Sequence, residues 1–163
     1  MTSSTETGVK KNVILAISTT TSFIMPFLVA SVTVALPTMG RELNMEAVVM
    51  TWVGTIYFLA IAIIQVPAGR FSDIFGRKKM FVTGLLLSAV ASFMGGSANS
   101  AVMLLVARGL QGIGAGIAFN NSLSILTSVF PAKERGHALG VNMAGTYSGL
   151  SLGPFIGGAM THN

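Results

Sequence analysis

The chain has 163 residues, of which 52% are hydrophobic and only 9% charged. A soluble domain carries about a quarter charged residues, so this chain lacks the polar surface that a water-soluble fold needs. Its net charge of +5 is spread over the ends of apolar runs instead of gathered on one face, which excludes a nucleic-acid partner and reads as membrane topology.

The first dozen residues, small and polar up to Val9 and closed by Lys10 and Lys11, are expected to be a cytoplasmic tail without regular structure. The apolar run at 13–36 is too long for the core of a signal peptide, and no small-x-small cleavage site follows it. It reads as a retained membrane span, with Pro26 predicted to kink it. Thr19, Thr20, Thr21, Ser22, Ser31 and Thr33 form a polar stripe that can return hydrogen bonds to the helix's own carbonyls and face a neighbour or a cavity.

A short connection with Arg41, Glu42 and Glu46 leads to a second span at 47–67. The polar island from Gly69 to Lys79 follows, and is expected to be a tight turn at the membrane face. Asp73 is its one acid among Arg70, Arg77, Lys78 and Lys79. It is placed to pair with Arg77 or to cap the next helix. Gly69 and Gly76 should let the backbone turn sharply and neighbouring helices approach.

Spans three to five are expected at 80–94, 101–129 and 138–160, joined by an uncharged turn at 95–100 and a polar one at 131–137. Most cations then fall on one side, leaving Arg41 opposite with Glu42 and Glu46. The positive-inside rule puts the N-terminus in the cytoplasm and the C-terminus outside, as an odd number of spans requires. The expected fold is all-α and integral to the membrane: a bundle of about five transmembrane helices over 13–163, of about 20 residues each.

Arg108 in the fourth span is the costliest residue, since a cation in the bilayer interior costs about 2.5–3.5 kcal/mol on insertion scales. It is expected to face a cavity instead of snorkelling to the interface. Gln111 lies one helical turn away on the same face, beside the glycines Gly112, Gly114 and Gly116. In the fifth span Gly145, Gly149, Gly153 and Gly157 recur at every fourth position, with Pro154 and Gly158 beside the last two. Such spacing leaves a smooth groove along one face, and the proline should bend the helix.

These motifs, in this order and on these spans, resemble the major facilitator superfamily of secondary transporters. The Gly69–Lys79 island is similar to the family's signature turn between spans two and three. The Arg108, Gln111 and Gly112 segment is similar to its fourth-span motif, and the Gly145–Gly158 segment to the fifth-span motif of its antiporters. Val34-Ala35-Leu36-Pro37 resembles the end of the first span in the fourteen-span drug:proton antiporter branch. The resemblance implies a plasma or inner membrane location and proton-coupled outward movement of small amphipathic or drug-like compounds, with no cofactor and no metal. By match, Asp73 would lock the cytoplasmic helix ends, Arg108 would tune proton exchange, and Gly149, Gly153 and Pro154 would set the helix bend.

Two departures stand out. Leu28 occupies a position where that branch has an acid, and no Asp or Glu lies inside any apolar run, so Arg108 is expected to lack an intramembrane partner. The chain is also expected to cover only the N-terminal spans of such a transporter, short of the sixth. Alone it is expected not to sustain transport, because the site lies between two halves. The fifth-span groove should then lack its neighbours and drive self-association or binding to complementary spans. A non-transporting packing or assembly module, or a half-transporter needing a partner chain, is the competing expectation. An enzyme ranks far behind, for the sequence offers no nucleophile–base pair.

Overall fold

The computed structural model describes the backbone of residues 2–161 and the side chains of residues 11–159. Met1, His162 and Asn163, and the side chains of Lys10 and Met160, lie outside the described residues. Those described form five helices: α1 (Thr2–Glu42), α2 (Ala47–Phe75), α3 (Arg77–Gly96), α4 (Ala101–Val129) and α5 (Ala132–Thr161). An apolar chain in lipid must satisfy its backbone within each segment, and the helix does so locally.

The helices overrun most of the expected boundaries. α1 begins at Thr2 and continues through Pro26 and Pro37, so no break separates a tail from the first span at residues 12–13. It stops where Asn44 takes a positive φ of 49°, a conformation asparagine tolerates. α2 continues eight residues beyond the expected end at 67, to Phe75. The polar island is therefore not a loop. Gly69, Arg70 and Asp73 ride on the last turns of α2, and Arg77, Lys78 and Lys79 open α3. Gly76 alone makes the corner, with φ 91° and ψ 133°. Gly69 lies inside the helix, and a Cβ added there or at Gly76 would meet nothing within 4 Å. Of the two glycines, one turns the chain and neither serves close approach.

The remaining ends follow local chemistry. Ser100 caps α4 by accepting the Met103 N–H at 3.3 Å, satisfying a donor the helix cannot. Phe130 precedes Pro131 and is extended at φ −92°, ψ 129°, because the proline ring disfavours helical backbone before it. The expected connection at 131–137 is helical from Ala132 onward.

Four of these helices, α1 to α4, are long and apolar enough among the described residues to cross a membrane. α5 is not in that set, because its glycines, serines and threonines dilute its hydropathy. Its placement is nonetheless tied to α1, the helix it packs against most extensively. Gly145, Gly149, Gly153 and Gly157 meet Thr19, Phe23, Phe27 and Ser31 in ascending order, so the two helices run parallel. The groove is filled by this chain's own first helix. That corrects the expectation of an empty face seeking partners.

α4 is the central helix of the other group and packs on both α2 and α3. Its glycines divide between the two. Gly112 and Gly116 face α2, where an added Cβ would come within 2.9 Å of the Ala60 Cβ and 2.6 Å of the Ile64 Cγ2. Gly114 faces α3, where it would come within 2.7 Å of the Gly84 carbonyl. At one end the two groups touch through Leu126, Phe130 and Ala138 with Ile14 and Leu15 of α1. The same end carries the Lys11–Glu134 ion pair at 3.0 Å, Lys11 over the Phe130 ring, and an Arg77 Nη1–H bond to the Ser124 carbonyl at 3.4 Å. The basic ends of α1, α3 and α5 thus converge.

Candidate functional site

Arg108 is 3% exposed, so it does not snorkel. The turn-by-turn spacing of α4 sets Gln111 beside it, and the Arg108 Nη1–H donates to the Gln111 Oε1. The Arg108 Nε–H donates to the Val53 carbonyl of α2 at 3.3 Å. Its guanidinium carbon stands 4.6 Å from the centre of the buried Tyr57 ring, a cation–π contact strengthened by exclusion of water. Arg108 therefore has intramembrane partners, contrary to the sequence-based expectation, although none is an acid.

The network extends to α3. Gln111 donates through Nε2 to the Ser92 hydroxyl at 2.7 Å, and Ser92 donates to the Ser88 carbonyl at 2.7 Å. Ser88 in turn donates to the Gln111 carbonyl at 3.3 Å. Gly112 and Gly114 make this possible by bringing α2 and α3 against α4. Sequence reasoning missed Tyr57 and Ser92. The signal was weak: a lone tyrosine and one serine in apolar runs.

Tyr57 also lines a cavity of about 300 Å³ between the α1–α5 pair and the α2–α4 group. Met25, Pro26, Phe58, Ile61 and Phe119 supply much of its apolar wall, with Gln65 as a polar contributor. A space of that size, apolar with few polar groups, is at the small end of drug-binding pockets.

The other sequence candidates lie elsewhere. Asp73 is exposed and among the described residues makes no ion pair. Gly76 is the N-cap of α3, with no side-chain cap bond, so Asp73 neither pairs with Arg77 nor caps that helix. α5 stays helical through Pro154, and the Ser31 hydroxyl of α1 donates to the neighbouring Gly153 carbonyl at 3.0 Å. Gly158 lies near Val34, 3.7 Å from its methyl for an added Cβ. A second polar cluster, not foreseen, includes Ser22, whose hydroxyl donates to the Asn142 Oδ1 at 3.0 Å. Among the described residues no three His, Cys, Asp or Glu side chains gather as a metal site would require.

The five-helix bundle with its buried arginine defines a polytopic membrane protein. The family model of the Major Facilitator Superfamily matches residues 18–163, and this chain belongs to that family. It is 40% identical over 131 residues to an MFS-type transporter of Mycobacterium tuberculosis, covering 79% of this chain and 22% of that protein. It is 37% identical over 131 residues to a puromycin resistance protein of Streptomyces alboniger, covering 80% of this chain and 26% of that one. A multidrug transporter protein of Bacillus subtilis is 39% identical over 111 residues, 67% of this chain and 20% of its own length. The chain thus spans about a quarter or less of these relatives.

Proposed function

We propose that this chain forms part of a secondary transporter that expels small amphipathic or drug-like compounds in exchange for protons. The observation that carries this reading is the double role of Tyr57, which lines the 300 Å³ cavity and stacks on Arg108. A compound entering the cavity meets the same ring that holds the buried charge. Cargo and charge are thereby coupled through one side chain. The names of the relatives, a puromycin resistance protein and a multidrug transporter, support the cargo class.

In this reading all five helices cross the cell membrane, α5 alongside α1, with the cation-rich end in the cytoplasm. Asp73, exposed there, is available to a partner outside the chain's own bundle. The apolar runs hold no Asp or Glu, so a proton-carrying carboxylate would come from spans that complete the transporter. Those spans would supply the other wall of the cavity, as alternating access requires.

The test is dye efflux from proteoliposomes holding this chain together with the remaining spans of its transporter. An imposed proton gradient should drive loss of a hydrophobic dye. Tyr57→Phe, which keeps the ring, should retain activity that Tyr57→Ala loses. Efflux indifferent to the gradient, or to both substitutions, would sink the reading.

A further inference from the structure

Among the described residues, Arg108 is a buried cation that meets no buried anion. The acids with described side chains, Glu42, Glu46, Asp73 and Glu134, all lie at helix ends or in the adjoining turn. Carbonyl, amide and aromatic partners stabilise a guanidinium but leave its unit charge uncompensated, which is costly away from water.

A guanidinium offers five N–H donors. The bonds to Val53 and Gln111 engage one on Nε and one on Nη1. Arg108 also lines a second cavity of about 140 Å³, distinct from the one beside Phe58 and walled by Leu28, Val32, Ala91, Ser92 and Ala107. Its wall is largely apolar, with Ser92, Arg108 and Gln111 as the polar residues. Leu28 is half-buried there, where a carboxylate in its place would give Arg108 a counter-charge.

We propose that this cavity binds one small monovalent anion, a halide or a carboxylate group, as the counter-charge of Arg108. The remaining guanidinium N–H groups would donate to it, in charge-assisted bonds that are about twice as strong as neutral ones. The Leu28 and Val32 wall sets the selectivity. It offers no hydrogen bond to replace lost hydration, so a strongly hydrated divalent anion such as sulfate is excluded by its desolvation cost. The binding belongs to this chain and does not depend on the efflux reading.

The experiment is thermal unfolding of the purified full chain in lipid nanodiscs, in sulfate buffer at constant ionic strength. Chloride and acetate are titrated separately. The wild type and Leu28→Asn should show a Tm rise that saturates. Leu28→Asp, which places an internal carboxylate in the same cavity, should bind the anion about tenfold or more weakly, the loss of one charge-assisted contact. Saturation by chloride alone assigns an inorganic counter-ion, and by acetate alone the carboxylate of a bound compound; either supports the site. A wild type with no saturable response to either anion overturns it, as does a Leu28→Asp response equal to the wild type's. Should Leu28→Asp not accumulate as folded protein, Leu28→Glu takes its place in the titration.

Discussion

Gly153 of α5 lies directly against Phe27 of α1, where a Cβ added to the glycine would stand 2.8 Å from the Phe27 carbonyl oxygen. Gly149 meets the Phe23 carbonyl in the same way one turn earlier. The two backbones can approach only because neither position carries a side chain. Gly149→Leu and Gly153→Leu should each therefore force α1 from α5, at about 1–3 kcal/mol or more. Gly140→Ala, with nothing within 4 Å of its added Cβ, should leave stability unchanged or raise it. Thermal unfolding in mild detergent compares them, and equal stability for all three would contradict the α1–α5 seam.

The two glycines of the polar island should behave oppositely. Gly76 holds φ at 91°, so Gly76→Ala forces a side chain into left-handed backbone and should destabilise by about 1 kcal/mol or more. Gly69 is helical with open space about it, so Gly69→Ala should stabilise by about 0.5–1 kcal/mol. Matched melting curves check the signs.

Asp73→Asn should alter the stability of this chain by no more than about 0.5 kcal/mol, as is usual for an exposed residue. The exposed side chain makes no ion pair among the described residues, and Lys79→Gln should match it. A clear loss of folded protein for Asp73→Asn alone would point to a contact that this packing lacks.

Around Arg108 geometry outweighs charge. Gln111→Leu removes the acceptor of the Nη1 bond and the donor to Ser92. It should cost about 1.5–3 kcal/mol, the range for hydrogen bonds to charged groups. Arg108→Lys keeps the charge but loses the planar group that lies over Tyr57 and reaches Val53 and Gln111 together, so it should not rescue stability. Chemical denaturation of both variants tests this; a lysine variant as stable as the wild type would refute the planar-stacking role.

The parallel pairing of α1 with α5 makes a topological prediction. A reporter fused after Asn163 should register on the opposite side of the membrane from one fused before Met1. The one at Asn163 should be exported, given the cations at the converging ends of α1, α3 and α5. A cytoplasmic signal at Asn163 would break the assignment of spans.

Composition alone determined that this chain belongs in a membrane, because 9% charged residues cannot solvate a fold of this length. The apolar runs located every helix, and the cost of a lone intramembrane arginine singled out Arg108. The glycine spacing marked α5 as a helix approached closely by another. Tertiary structure decided what the spacing could not: that α1 fills that groove, and that α4 divides its glycines between α2 and α3. A helix apolar on most of its faces carries little periodic signal to say which face meets which neighbour. Tyr57 became Arg108's partner through the register of α2 against α4, which rests on Gly112 and Gly116 and on side chains far apart in the sequence. The polar island was legible as a break between two apolar runs but not as helix. Charged side chains can reach water while their backbone stays hydrogen-bonded within α2 and α3, so polarity marked the surface and only Gly76 marked the turn.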